Sequence, residues 1–333
     1  MRSSRPESEN RWGADPAMAL TPGGKVKWEG GIMKGRRAAN LATVGALLWC
    51  LSVQPSAACT LWGAAGDAAA GGGTLVAKNR DWIPDHRQEL VVFKPPTGHA
   101  FVALVAVGND EPGVKAGVNA QGLVIVSASA GQIPRADRKK VQQKKELMRH
   151  FLTTCASVEE LLKQIDRMRR PVFYLAGDRN EIAVIEVAPG GRRAVARTSS
   201  GTLQRTNHYR DIDPKGFARK PGPGSRQRYA RIEELLKTNA TPFTLETFIR
   251  FSEDRGGGPD NSIWRTGSRP ARERTLATWL VAVSPSGRPR LYLKTADPGE
   301  KEHVCRLEVG EALRFEAGSR ISLSGDLCGR TEP

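Results

Sequence analysis

The sequence predicts a single α+β domain in which antiparallel sheets carry helices on their faces. Three observations predict it. Residues 59–128 break into short runs of β-branched and apolar residues bounded by Gly, Pro and Asn clusters, the signature of strands joined by turns. Residues 139–154 and 158–169 change to helical spacing, with Leu147, Phe151 and Leu152 in the first stretch and Leu161, Leu162, Ile165 and Met168 in the second. Strands, a helix pair, then strands, helices and strands follow in blocks, the order of an α+β fold.

Taken in chain order, strands are expected over 59–64, 74–82, 89–93 and 101–107. Gly117-Val118-Asn119-Ala120-Gln121-Gly122-Leu123 has turn chemistry and feeds a strand at 124–128. After the two helices, Pro171 stops the second. Strands at 172–176 and 182–187 flank Gly177-Asp178-Arg179-Asn180, a hairpin turn. A strand at 202–206 ends in Asn207-His208-Tyr209. Helices are expected over 225–237 and 244–254, the second capped by Thr244. A glycine-rich loop covers 255–259, and a hairpin joins 275–283 to 288–293 around Ser284-Pro285-Ser286-Gly287. The tail carries weaker strand signals. No internal repeat and no domain boundary is visible after Cys59.

The chain of 333 residues is 39% hydrophobic with 35 Gly and 21 Pro, which describes a turn-rich globular protein and not a disordered one. Its formal net charge is +16; residues 1–58 hold eight Lys/Arg and four Asp/Glu, leaving +12 on the remainder. Arginine is scattered, with no zinc finger or RNA-binding motif beside it. The charge therefore reads as a solvated basic surface, and no nucleic-acid partner is expected.

One long apolar run, 38–58, ends directly before Cys59. Its uninterrupted core, 41–53, is too short to span a bilayer. Lys34, Arg36 and Arg37 precede it, Pro55 breaks it, and Ser56 and Ala58 place small residues before Cys59. These are the three regions of a secretory signal. Residues 1–58 are accordingly expected to be a leader: 1–32 an over-extended start ahead of Met33, and 33–58 a signal peptide. Residues 59–333 are expected to form one catalytic domain, periplasmic or secreted, with no stable membrane insertion once the leader is gone. Export leads to a compartment where disulfides persist. Cys305 and Cys328 are close enough in sequence to pair or to stay free, and Cys155 reads as a buried apolar residue.

Removal of the leader would make Cys59 the first residue. A terminal cysteine carries a nucleophile and a base, thiol and α-amine, and both groups titrate near neutrality. The amine can take the thiol proton and return it to a leaving amine. A tetrahedral intermediate then needs fixed donors for its oxyanion, supplied by side-chain amides or backbone N–H groups. Candidates stand at strand ends: Asn79-Arg80-Asp81-Trp82, Asn119 in the Gly117–Leu123 stretch, Thr206-Asn207-His208-Tyr209, and Ser225-Arg226-Gln227-Arg228-Tyr229 at a helix start.

In this order the set resembles the N-terminal-nucleophile hydrolases related to acyl-CoA:6-aminopenicillanic acid acyltransferase, and more distantly penicillin V acylases and conjugated bile salt hydrolases. The resemblance runs from Cys59 to about Leu293. It implies an αββα sandwich of two stacked antiparallel sheets, with the nucleophile opening a strand. It further implies Cys59 as nucleophile and, through its amine, base; Asp81 holding that amine; Asn207 with Asn119 as oxyanion hole; and Arg228 near the thiol. Where the bile salt and penicillin V branch has arginine three residues before the aspartate, this chain has Lys78, which brings charge without a planar fork. Arg80, at odd spacing, is expected to face away from the site.

The function expected is that of an amidase or acyltransferase cleaving a linear N-acyl amide through a Cys59 acyl-enzyme, without cofactor or metal. A small-molecule N-acyl amide is the expected partner, and homo-oligomerisation is left open. Two other readings compete. Cys59 could be the acceptor of a non-catalytic lipoprotein, although Ser56 stands where an apolar residue is usual; or the chain could be a basic ligand-binding module. His86, His99 and His303 lack metal-ligand spacing. His208 has no papain-like Cys-His-Asn order around it. Gly71-Gly72-Gly73-Thr74 lacks the lysine of a phosphate loop and reads as a turn. Trp62, Trp82, Trp264 and Trp279 read as core residues ahead of an acyl pocket.

Overall fold

The structure is a computed structural model and describes residues 58–108, 111–143, 146–323, 325 and 328. The expected leader, apart from Ala58, lies outside the described residues. Among them no helix is long and apolar enough to cross a membrane.

The strands are β1 (Cys59–Ala65), β2 (Thr74–Trp82), β3 (His86–Phe93), β4 (Phe101–Gly108), β5 (Gly113–Asn119), β6 (Val124–Ser129), β7 (Val172–Gly177), β8 (Ile182–Val187), β9 (Arg193–Thr198), β10 (Gly201–Arg205), β11 (Arg274–Val283), β12 (Arg290–Thr295), β13 (His303–Glu308) and β14 (Arg320–Ile321). The helices used below are α1 (Arg135–Lys140), α2 (Leu147–Thr154), α3 (Val158–Lys163), α4 (Pro223–Thr238) and α5 (Leu245–Ser252). All strand pairs are antiparallel and build two sheets: β10-β1-β2-β11-β12-β13, and β14-β3-β4-β5-β6-β7-β8-β9.

Period-two alternation assigns every side chain of the central strands to one of two faces. Leu61 and Ala65 of β1, Val76 of β2, Val126 of β6, Val184 of β8 and Trp279 of β11 share the core between the sheets. Trp62 and Ala64 of β1 and Leu75 and Ala77 of β2 point the other way, against Ile232 and Leu236 of α4 and Phe248 of α5. On the far side of the larger sheet, Ile125 and Ile185 pack against Phe151 and Leu152 of α2 and Leu161 of α3. Helix, sheet, sheet, helix is the αββα order expected. Because both faces of β1 and β2 are covered, all sixteen of their residues are buried.

Two expectations are corrected. The helix expected over 139–154 is α1 and α2, with 141–143 and 146 outside either helix, because 139–146 offers Val141 as its only apolar residue and so no stripe to bury. Gly117–Asn119 is not a turn but the end of β5. Glycine at 117 makes room for α2: a Cβ there would lie 2.4 Å from Leu152 Cδ1, so the leucine side chain would have to shift. Cys305 and Cys328 are disulfide-bonded, and Cys155 is buried in the α2/α3 core.

Candidate active site

Cys59 opens β1, and antiparallel register brings the other groups to it. Cys59 pairs with Arg80 of β2, so Asp81 follows directly alongside, and Leu61 pairs with both Lys78 and Arg205. Carrying the β10 register two residues past Arg205 puts Asn207 level with Cys59. Arg228 arrives from α4, where Ser225, Arg228, Ile232 and Leu236 form the buried face at helical spacing.

The backbone of Cys59 is gripped from the helix side. Its nitrogen donates to Asn207 Oδ1 at 2.9 Å. Arg228 donates through Nη1 to Cys59 O at 2.8 Å and Thr60 Oγ1 at 2.9 Å, and through Nη2 to Asn207 Oδ1 at 3.0 Å. Asn207 in turn donates through Nδ2 to Ser129 O at 2.9 Å and through its backbone N–H to Ser225 Oγ at 3.0 Å. Asp81 accepts from Thr275 Oγ1 at 2.8 Å, and its Oδ2 lies 4.0 Å from Arg228 Nη1 and 3.7 Å from Arg265 Nη1. That Oδ2 is buried without a hydrogen-bond partner. Burial pushes the Asp81 carboxyl above its usual range, against the pull of Arg265 and Arg228.

The thiol side belongs to the space between the sheets. Lys78, on the same strand face as Val76, donates to Ser127 O of the opposite sheet and borders the same cavity as Cys59. Burial pulls the Lys78 ammonium below its ordinary range, and the neighbouring cysteine sulfur opposes that pull. A cavity of about 260 Å³ opens here, bordered by Cys59, Lys78, Arg80, Trp82, Lys115 and Tyr174 among others. A second cavity of about 730 Å³ lies at the other side of the residue, bordered by Ala58, Asn207, Ser225, Arg228 and Arg265.

Of the residues singled out from sequence, Cys59, Asp81, Asn207 and Arg228 are brought together, and Lys78 joins them. Asn119 is not. Its Nδ2 donates to Leu152 O at 2.9 Å and Cys155 O at 2.8 Å, and its Oδ1 accepts from Gln121 N and Leu123 N, so both ends of the amide fasten α2 and the β5–β6 turn. Arg80 is corrected in the opposite sense. Odd spacing separates it from Asp81, but Lys78 is two residues away, so Arg80 shares the thiol cavity. Asn79 faces α5 and is spent on Ser252 O, Ile263 O and Thr278. His208 is held by Ser225 Oγ at 2.8 Å and pushed down to about 4, mainly by burial, which leaves it neutral. Of the four tryptophans, Trp82 alone borders the thiol cavity. Arg265, Thr275, Ser225 and Lys115 were not found by sequence reasoning. Ser225 is legible as a hydroxyl at a helix start, whereas Arg265, Thr275 and Lys115 carry no local signal.

The αββα sandwich of two antiparallel sheets is that of the N-terminal-nucleophile class of amide-processing enzymes, and here a cysteine opens its first strand. The chain belongs to the acyl-coenzyme A:6-aminopenicillanic acid acyl-transferase family, whose profile matches residues 68–298. Among solved structures it is similar to a mutant conjugated bile acid hydrolase from Clostridium perfringens, at 13% identity and TM-score 0.46 over 79% of this chain and 96% of that one. It is also similar to the Caenorhabditis elegans ortholog of N-acylethanolamine-hydrolyzing acid amidase, at 14% identity and TM-score 0.47 over 67% and 92% of the respective chains. No curated protein matches it.

Proposed function

We propose that the protein is an exported amidase or acyltransferase that opens a linear N-acyl amide through an acyl-enzyme on Cys59. The observation that supports this most directly is the hold of Asn207 and Arg228 on the Cys59 backbone, with Lys78 bordering the cavity that Cys59 shares. Before the leader is removed the Cys59 nitrogen is a peptide nitrogen, and its single proton goes to Asn207 Oδ1. A terminal amine brings one further donor, and Asp81 Oδ2 is a buried acceptor waiting for it, reached by the same Arg228 Nη1 that holds Cys59 O. Asp81 and Asn207 thus orient the α-amine. Arg228 positions both and fixes the Cys59 carbonyl.

The amine takes the thiol proton as sulfur attacks the substrate carbonyl. Asn207 Nδ2 and Lys78 are the donors assigned to the developing oxyanion. The proton passes to the leaving amine as the C–N bond breaks. Water or a second amine then attacks the thioester, giving an acid or a new amide and restoring the thiol. The partner is a small-molecule N-acyl amide.

The test is the full-length chain expressed with its leader and recovered after export. The expected result is a mature end at Cys59, an acyl adduct on Cys59 by intact mass with a panel of N-acyl amides, and loss of both adduct and turnover in Cys59→Ser. A mature end at Ala57 or earlier, a diacylglyceryl adduct on Cys59, or full activity of Cys59→Ser refutes the reading.

A further inference from the structure

The thiol cavity is bordered by a buried cation, Arg80, which feels Asp297, Asp81 and Asp85 but meets none of them at ion-pair distance. Arg80 is 2% exposed and borders the cavity together with Cys59. Its Nη2 meets His86 Nδ1 at 2.7 Å, which makes that nitrogen the acceptor of a neutral ring. Its Nη1 is buried with no hydrogen-bond partner, and no carboxylate among the described residues forms an ion pair with it. A buried, half-satisfied guanidinium is costly unless something pairs with it. Lys115 of β5 borders the same cavity and is held through Glu111 O at 2.6 Å. Of the ten Asp, Glu, Lys and Arg residues lining the space, seven are cations. The three acids are engaged: Glu146 with Arg149 at 2.6 Å, Glu111 with Arg135 at 3.2 Å, and Asp81 with Thr275. Cations therefore outnumber acids around the cavity.

Geometry also says which half of a substrate would bring it. The Cys59 nitrogen is bound to Asn207, which borders the larger cavity, and the sulfur faces the smaller one. A leaving amine must meet the α-amine that reprotonates it, so it departs on the Asn207 side and the acyl group stays on the sulfur side. At about 260 Å³ the acyl cavity falls below the roughly 300–1,000 Å³ of sites for drug-sized ligands, so it takes a compact acyl chain.

We propose that Arg80 and Lys115, reinforced by the charge of Lys78, form a subsite for a small anionic group on the acyl half of the substrate, a carboxylate or similar oxyanion. The Arg80 guanidinium supplies buried positive charge beside that group and Lys115 turns its ammonium towards it. This deepens the reading of Cys59 as nucleophile and rests on it for the assignment of the acyl side.

The test separates the two. Full-length Cys59→Ala protein is titrated calorimetrically with the half-amides succinamate, glutaramate and adipamate and with the matching neutral diamides. The half-amide of best-fitting length is expected to bind at least about tenfold tighter than its diamide, the scale of one charge-assisted hydrogen bond. Arg80→Gln is expected to bring the pair to parity, Arg80→Lys to keep part of the preference, and Lys115→Gln to lower it severalfold. Equal binding of every half-amide and diamide overturns the subsite, as does a preference that survives Arg80→Gln. Should Arg80→Gln fail to fold, an unchanged preference in Lys115→Gln, at a half-buried position, overturns it instead. Absence of an acyl adduct on Cys59 in the unsubstituted protein counts against the nucleophile reading alone, because the binding preference is measured without it.

Discussion

Lys78 is the residue on which the reactivity of Cys59 should turn. A fixed donor stabilises charge as it develops at a reacting centre, and Lys78 is buried at the cavity that Cys59 borders. Replacing it by methionine, at similar volume, is expected to slow iodoacetamide alkylation of Cys59 at pH 7 by about tenfold or more, whereas Lys78→Arg keeps most of the rate. Equal alkylation in Lys78→Met would show that the lysine serves packing alone. Lys115 makes a separate, pH-dependent prediction. Burial, with help from Arg80, pushes its ammonium down to about 7, against about 10.4 in an unfolded chain. Below that native value both states are protonated and the cost of the confined charge is fully felt. Between the two values the unfolded state binds the extra proton, so stability rises with pH. Melting curves should therefore show Lys115→Gln gaining more over the parent protein at pH 6 than at pH 9; a constant difference would contradict the shift.

At the scale of elements, alternation and register explain most of what the amino-acid sequence made legible. Cys59, Asp81, Asn207 and Arg228 were readable because each stands at a strand end or on a helix face whose period is visible. Asn119 was misread for a physical reason: the same turn chemistry serves an amide that points at a site and one that clamps a neighbouring helix. Arg80 was judged against Asp81, when the relevant partner was Lys78, two residues away. Lys115, Thr275 and Arg265 come from segments remote in sequence, so only the sheet pairings and the folding back of 262–265 reveal them. The correction at Asn119 has a consequence that can be measured. Asn119→Ala removes donors from two buried carbonyls and is expected to cost about 2–3 kcal/mol in urea unfolding while leaving kcat within a fewfold of the parent. Asn207→Ala should do the reverse, with kcat collapsing. Gly117→Val forces a branched side chain against Leu152 and is expected to cost about 1–3 kcal/mol.

At the scale of the whole molecule, the smaller sheet is tied at its β13 edge by the Cys305–Cys328 disulfide, 23 residues apart in sequence. A loop of that length is worth about 3 kcal/mol by restricting the unfolded chain. Cys328→Ser, or a reductant, should lower the melting temperature by several degrees without changing kcat at 25 °C; an unmoved melting curve would mean the bond contributes nothing. Such a bond suits a protein that matures outside the reducing cytosol, in keeping with the proposed export.

The grip on the Cys59 backbone has a practical corollary. Asn207 and Arg228 hold the nitrogen and carbonyl of this residue while Ala58 still precedes it, so under the proposed mechanism a protein carrying a retained amino-terminal purification tag is expected to fold and yet be silent. Preparations meant to report turnover should carry their handle elsewhere, and a dead tagged sample revived by a protease cutting immediately before Cys59 would be a switch already built into the first strand.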